Sequence, residues 1–156
     1  MSDLPEEVLE LLEGANFAHL ATLMPDGSPH SVALWVTVED GRIAFFTQPS
    51  SLKARNVERD PRVALSITDH DNPYRTARVR GRVVGTRTGD AALEVMDRMA
   101  MVYTGELFPM RQGVLYLVEP EQAGFTELPF DHSPPARSPS GPGLRRPSSP
   151  GTSSPS

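Results

Sequence analysis

The sequence contains no cysteine, and this absence excludes disulfide bonds, thiolate metal sites and cysteine nucleophiles. Aromatic residues are scarce, at 6% of 156 residues, and 38% of the residues are hydrophobic. This composition supports one modest core, so we expect a single folded domain. No apolar run approaches the roughly 20 residues of a membrane-spanning helix, and the acidic start lacks the pattern of a secretory signal. We therefore expect a cytoplasmic protein with no membrane partner.

Motifs of several enzyme classes are also missing. There is no Walker loop, G-x-S-x-G elbow or H-E-x-x-H metal motif, and no G-x-G-x-x-G that opens a helix after the first strand. The four histidines have no ligand spacing, so we expect no metal site; they are His19, His30, His70 and His132. The formal net charge of -5 argues against nucleic acid as a partner.

The sequence does contain many short alternating strands separated by turn residues. Strands are predicted at residues 17–24, 29–38, 42–47, 62–68, 74–86, 113–118 and 123–128. Pro25-Asp26-Gly27-Ser28 and Asp40-Gly41 are hairpin turns, and Glu119-Pro120-Glu121 separates the last two strands. Amphipathic helices are predicted between Pro5 and Gly14, from residue 52 to near 60, and over residues 90–103. This pattern favours a mainly β fold with short α-helices, arranged as a small barrel or sandwich.

The segment from Thr47 to Asn56 connects the end of a strand to the start of a helix. Hydroxyl side chains at Ser50 and Ser51 mark the helix N-cap. The first N–H groups of a helix lack acceptors and the helix dipole adds partial positive charge, so a phosphate is stabilised there. Lys53 and Arg55 add cations beside this position. A capped helix with a solvated basic face is the alternative that these residues leave open.

The fifth predicted strand carries arginines at alternate positions. Arg78, Arg80 and Arg82 fall on one face, and apolar residues fall on the other. Gly81 and Gly85 are predicted bulge or bend points in this strand. The arginine row suits an acidic partner. It is equally explained as a solvated sheet face with acids on the neighbouring strand.

The composition changes abruptly after Phe130. Residues 131–156 hold seven prolines, eight serines and three glycines, with Leu144 as the only sizeable aliphatic side chain. Such a segment cannot offset the entropy lost on ordering. The sequence therefore predicts a folded domain over residues 1–130 and a disordered Pro/Ser-rich tail over residues 131–156.

A series of short motifs follows through most of the folded part. In chain order they are Ala21-Thr22-Leu23, Asp26-Gly27-Ser28-Pro29-His30, Trp35, Asp40-Gly41, Ser51-x-Lys53-Ala54-Arg55-Asn56, Asp60-Pro61-Arg62-Val63-Ala64-Leu65 and Arg80-Gly81. Their order over residues 5–128 resembles the split-barrel flavin- and deazaflavin-binding superfamily, whose namesake is pyridoxamine 5'-phosphate oxidase. Asn72-Pro73-Tyr74-Arg75 is most similar to the actinobacterial branch that uses the deazaflavin coenzyme F420.

The resemblance implies a six-stranded antiparallel split β-barrel that forms a homodimer, with the cofactor in a groove between protomers. Ser51, Lys53 and Asn56 would hold the cofactor phosphate, with Arg55 nearby. Two further residues would lie beside the ring system; they are Thr47 and Gln48. The strand that lines the ring would contribute Val32, Leu34 and Trp35, although Trp35 is equally explained as a core residue. The other subunit would contribute Tyr74, Arg78 and Arg80.

The implied activity is hydride transfer from reduced F420 to an unsaturated or carbonyl small molecule. In such enzymes the cofactor performs the difficult step, and the protein orients the reactants and excludes water. No catalytic acid is evident, and Tyr74 is one candidate for proton delivery besides a bound water. Two alternatives remain: an FMN-binding oxidoreductase or flavin reductase, and a non-enzymatic binder of the cofactor or of a tetrapyrrole.

Overall fold

The structure is a computed structural model and describes residues 4–136. Its elements are α1 (Glu6–Glu13), β1 (Ala18–Leu23), β2 (Pro29–Leu34), β3 (Thr37–Glu39), β4 (Arg42–Thr47), α2 (Leu52–Arg59), β5 (Arg62–Thr68), β6 (Arg75–Arg87), α3 (Gly89–Thr104) and β7 (Val114–Glu127). Residues 131–136 are exposed and belong to no helix or strand, while residues 137–156 of the predicted tail lie outside the described residues. None of the helices in the described part has the length and apolarity needed to cross a membrane.

The strands form one antiparallel sheet in the order β2-β1-β5-β6-β7-β4-β3. The strand predicted over residues 29–38 is interrupted at Trp35 and Val36, and its halves β2 and β3 lie at opposite edges of the sheet. These two residues therefore connect the two edges through the backbone. With β2 and β3 counted as one interrupted strand, the structure confirms the predicted six-stranded split barrel.

The prediction of two final strands is wrong, because β7 runs without interruption from Val114 to Glu127. Pro120 cannot donate a backbone hydrogen bond, which is why the sequence predicts a break there. The register instead shifts between Arg80 and Gly81, directly opposite Pro120. A Cβ at Gly81 would collide with the carbonyl of Glu119. Glycine thus lets β6 approach β7 closely, and a bulge takes the place of a strand end.

The hydrophobic core has two parts that lie on opposite faces of β4 and β7. Ile43 and Phe45 face the barrel interior, together with residues of α1, β1, β5 and β6. The alternate residues Ala44 and Phe46 face α3, as do Leu115 and Leu117 of β7. Side chains alternate along a strand, so β4 supplies both cores. The outer face of β6 has no such cover, and its arginines are exposed as predicted.

Candidate functional site

The tip of α2 is built by hydroxyl groups from the preceding loop. The Oγ of Ser51 accepts hydrogen bonds from the Ala54 N–H at 3.2 Å and from the Thr47 hydroxyl at 2.9 Å. This confirms the predicted N-cap. The N–H groups of Leu52 and Lys53 lie in the first turn, where the helix offers them no acceptor. The Ser51 hydroxyl also keeps its own hydrogen for donation.

Lys53 lies between this helix tip and an open pocket of about 320 Å³. The pocket is lined by Phe17, Ala33, Leu34, Trp35, Phe46, Lys53, Phe108 and Met110. Lys53 is therefore the one charged residue in an apolar lining. Burial among these groups lowers the pKa of Lys53 from its ordinary value of 10.5. It is also the only lysine among the chain's 15 basic residues.

Aromatic rings form one wall of the pocket. Trp35 stacks on Tyr103 at 4.9 Å between ring centroids and meets Phe46 and Phe108 edge to face at 6.3 Å each. The Tyr103 hydroxyl donates to the carbonyl of Asn16 at 2.6 Å and accepts from the Val36 N–H at 3.2 Å. Tyr103 thus holds the chain at the break between β2 and β3. Trp35 is half-buried in the core and also faces the pocket, so both sequence interpretations apply to it.

The structure brings together part of the set that sequence analysis proposed. Leu34, Trp35 and Lys53 line the same pocket, and Thr47 lies directly beneath Ser51 at the helix tip. Two other members lie close by without lining it. Gln48 donates to the carbonyl of Gln112 at 3.2 Å, and Val32 packs against the barrel core. Arg55 is exposed and is not among the residues lining this pocket.

Asn56 does not line this pocket, and the structure does not bring its side chain to the helix tip, where the resemblance implies that it holds the phosphate. Its side chain is fully buried. The amide Nδ2 donates to the Thr22 hydroxyl at 3.0 Å, and Oδ1 accepts from the Arg59 guanidinium at 3.1 Å. The amide therefore fastens α2 to β1, and packing on the barrel accounts for an asparagine at this position of the helix.

Sequence reasoning missed Ala33 as a pocket residue, and also four larger side chains: Phe17, Phe46, Phe108 and Met110. The orientation of Phe46 could have been predicted, because side chains alternate along β4 and Phe45 faces the barrel core, so Phe46 faces the other side. The other three come from segments far apart in sequence with no periodic pattern. The packing of α3 and the following loop brings Phe108 to Trp35 and places all three in the pocket lining.

Tyr74 lies far from Lys53 within one protomer. Thr47 pairs with Val114 at the start of β7, whereas Arg75 pairs with Glu127 at its end. The Tyr74 ring instead meets Phe130 edge to face at 5.3 Å and His132 at 6.2 Å. A contribution of Tyr74 to the pocket thus requires a second copy of the chain, which is the arrangement that the resemblance implies.

The arginine row borders a second groove, of about 400 Å³, on the outer face of the sheet. Arg82 forms an ion pair with Glu121 at 3.5 Å. Arg78 instead donates to the Thr126 hydroxyl at 3.3 Å, and Arg80 donates to the amide oxygen of Gln122. The acids expected on the neighbouring strand are therefore present for Arg82 only. Within the described residues, Arg78 and Arg80 have no acidic partner within ion-pair distance.

Known proteins supply an independent comparison. The family model described as pyridoxamine 5'-phosphate oxidase matches residues 4–126. A solved F420 reductase is 33% identical, covering 78% of this chain and 98% of that chain at a TM-score of 0.68. A conserved hypothetical protein from Mycobacterium tuberculosis is 25% identical, covering 86% and 95% at a TM-score of 0.70.

General Stress Protein 26 from Bacillus anthracis shares the fold at 20% identity and a TM-score of 0.57, covering 78% of this chain and 92% of that chain. At this identity the likeness concerns the fold alone. Among curated proteins there is no significant match.

Proposed function

The chain belongs to the pyridoxamine 5'-phosphate oxidase family, and from this premise we propose that it is an F420-dependent reductase acting on an unsaturated or carbonyl small molecule. One observation carries the proposal. A helix tip with free N–H groups and a half-buried lysine adjoins an aromatic pocket, so an anion site and a site for a flat ring are neighbours. This combination suits a phosphorylated redox ring.

The helix tip fits the phosphate. Lys53 supplies a full positive charge, the first-turn N–H groups supply donors, and the Ser51 hydroxyl adds another. Desolvation disfavours the charged form of Lys53 in the free protein, as its lowered pKa indicates. A bound phosphate would offset that penalty. Lys53 is thus better suited to an anionic ligand than to an empty apolar surface.

The pocket fits the ring. Phe46, Phe108 and Trp35 are held against one another, so a planar ligand meets a preformed apolar wall. A bound deazaflavin supplies the hydride. The chain's own residues fix the phosphate, orient the ring against the wall and exclude water from one of its sides. Tyr74 stays the candidate for proton delivery, from a second copy.

Two observations favour F420 over FMN. The solved F420 reductase is 33% identical over most of this chain. Arg78 and Arg80 also present charge without acidic partners among the described residues, which suits the polyglutamate tail of F420. The proposal includes a homodimer, because within one copy these arginines border the outer groove and Lys53 lines a different pocket, so a second copy would bring both to one ligand.

Titration of cofactor-free protein with F420 and with FMN tests the proposal. We expect tight F420 binding, and consumption of reduced F420 when an electron-poor acceptor such as a quinone is added. Lys53→Ala should weaken F420 binding by about 10- to 150-fold, because a hydrogen bond to a charged group contributes roughly 1.5–3 kcal/mol. Arg62→Ala is the control, since it removes an exposed cation beyond the other end of α2.

The titration separates the alternatives. Binding of FMN without F420 would make the protein a flavin oxidoreductase. Binding of F420 without turnover over a panel of acceptors would make it a cofactor binder. Equal F420 affinity in Lys53→Ala and the unmodified protein would contradict both the phosphate site and the proposed function.

A further inference from the structure

We propose that Asp97 is a positioning residue that fixes the loop of residues 105–113 as a wall of the ring pocket. The loop connects α3 to β7 and carries Phe108 and Met110, which both line the pocket. The identity of the ligand in this inference rests on the proposed function. The arrangement of the loop itself does not.

A single carboxylate holds both ends of a short loop segment. Asp97 Oδ1 accepts from the Phe108 N–H at 3.2 Å and from Arg111 Nη1 at 2.7 Å, and Oδ2 accepts from Arg111 Nη2 at 3.1 Å. Arg111 Nη1 also donates to the Phe108 carbonyl at 3.1 Å. Residues 108–111 are thereby closed into a ring of hydrogen bonds on the side of α3. We call this set the Asp97 clamp.

Outside the clamp, side-chain hydrogen bonds within the described residues hold the loop only near its two ends, where Thr104 bonds to the Glu106 backbone and Gln48 donates to the Gln112 carbonyl. It contains no helix or strand, and Leu107 and Met110 are 63% and 59% exposed. Phe108 is the exception at 7% exposed, with its ring 4.6 Å from Phe46 and 6.3 Å from Trp35. The Asp97 clamp fixes the backbone on both sides of that ring. The position of the aromatic wall therefore depends on a carboxylate that is not itself among the residues lining the pocket.

The clamp also has the charge state that this role requires. Hydrogen bonds from Arg111 lower the pKa of Asp97, and the Phe108 N–H acts in the same direction. The carboxylate is accordingly ionised at neutral pH, and the bidentate geometry with Arg111 is maintained. Neutralising it leaves the apolar contact of Phe108 in place but removes the charge-assisted, bidentate bond to Arg111, so the backbone is held less firmly. A ring ligand must then order the loop on binding, which weakens affinity.

Trp35 is a built-in reporter, because it is the chain's only tryptophan and contacts Phe108. In cofactor-free Asp97→Asn we expect acrylamide to quench Trp35 fluorescence more strongly than in the unmodified protein. We also expect F420 affinity to fall roughly three- to tenfold, as for loss of preorganisation at a few side chains. Asp97→Glu retains the carboxylate and should recover part of both effects.

Asp60→Asn is a matched control. Asp60 likewise accepts from one backbone N–H and from two nitrogens of one arginine, Arg62, on an exposed surface. It belongs to no part of the pocket lining, so neither quenching nor affinity should change. If Asp97→Asn does not fold, Arg111→Gln opens the same clamp from its exposed side and should give the same two effects.

The outcomes are separable. Unchanged quenching in Asp97→Asn and Arg111→Gln overturns the inference, whatever happens to affinity, because the loop then does not depend on the clamp. Increased quenching with unchanged F420 affinity also overturns it, because the loop position would not matter to the ligand. If the unmodified protein binds neither F420 nor FMN, the proposed function fails. In that case increased quenching still supports the role of Asp97 in holding the loop.

Discussion

Lys53 combines two properties that normally oppose each other, a positive charge and a half-buried position among apolar side chains. Burial lowers the pKa of Lys53, so the folded chain binds the proton at this group less tightly than the unfolded chain does. The charged form therefore destabilises the ligand-free fold at every pH below the folded pKa. The penalty declines as the pH rises through the folded pKa and is gone above 10.5.

Lys53→Met should therefore raise the unfolding temperature of the ligand-free protein near pH 7 while weakening cofactor binding. The gain should shrink as the pH rises towards 10.5 and vanish above it, since Lys53 is then uncharged in both the folded and the unfolded chain. Thermal denaturation at several pH values measures it. Arg62→Met replaces an exposed cation and should give no comparable gain. A lower unfolding temperature for Lys53→Met would show that the ammonium already has a stabilising partner.

Single residues also show where sequence reasoning reaches its limit. Ser51 and Lys53 were predictable, because capping and charge at a helix start are local properties. Asn56 was not, because the direction of its amide depends on how α2 packs against β1. Lys53 and Asn56 are three residues apart on α2. That spacing does not show which of the two side chains faces a pocket and which faces the barrel.

Strands β6 and β7 show the same limit at the level of whole elements. The hairpin turns and the arginine face of β6 follow from local sequence, and the structure confirms them. The continuity of β7 does not follow from local sequence, because it depends on Gly81, which lies 39 positions before Pro120. The bulge at Gly81 accommodates Pro120 within the sheet. The pairing of Gly81 with Pro120 cannot be predicted until the two strands are known to be neighbours.

Gly81→Ala should therefore destabilise the fold, because the new Cβ would collide with the backbone carbonyl of Glu119. We expect a loss of about 1–3 kcal/mol in the free energy of unfolding, as for overpacking elsewhere. Gly85→Ala is the matched control on the same strand, since a Cβ there meets nothing within 4 Å. Urea denaturation compares the two. Equal stability of both variants would mean that β6 shifts away from β7 without strain.

At the scale of the molecule, the two groups of candidate residues lie at opposite ends of β7. One end carries Lys53 and the aromatic pocket, and the other carries Tyr74. If one end of β7 contacts the other end in a partner across a two-fold axis, that contact occurs twice with the partners exchanged. The proposed dimer would in this way assemble two equivalent sites.

Mixing two variants tests this arrangement. If Lys53 and the pair Arg78 and Arg80 act on one ligand from different subunits, Lys53→Ala and the double variant Arg78→Ala/Arg80→Ala should each bind F420 weakly. Refolding an equal mixture should restore about a quarter of the sites, since each mixed dimer holds one intact site. Sedimentation should show the dimer in all samples. No recovery in mixed dimers would place both groups in the same subunit.

The position of the single lysine has a practical consequence. Apart from the α-amino group, the protein has a single primary amine, that of Lys53, and it lies beside the aromatic pocket. Amine-coupled sensor chips, succinimidyl dyes and lysine-directed cross-linkers that react anywhere other than the α-amino group would therefore attach at the proposed ligand site and block it. Immobilisation through an affinity handle after residue 156 avoids this artefact.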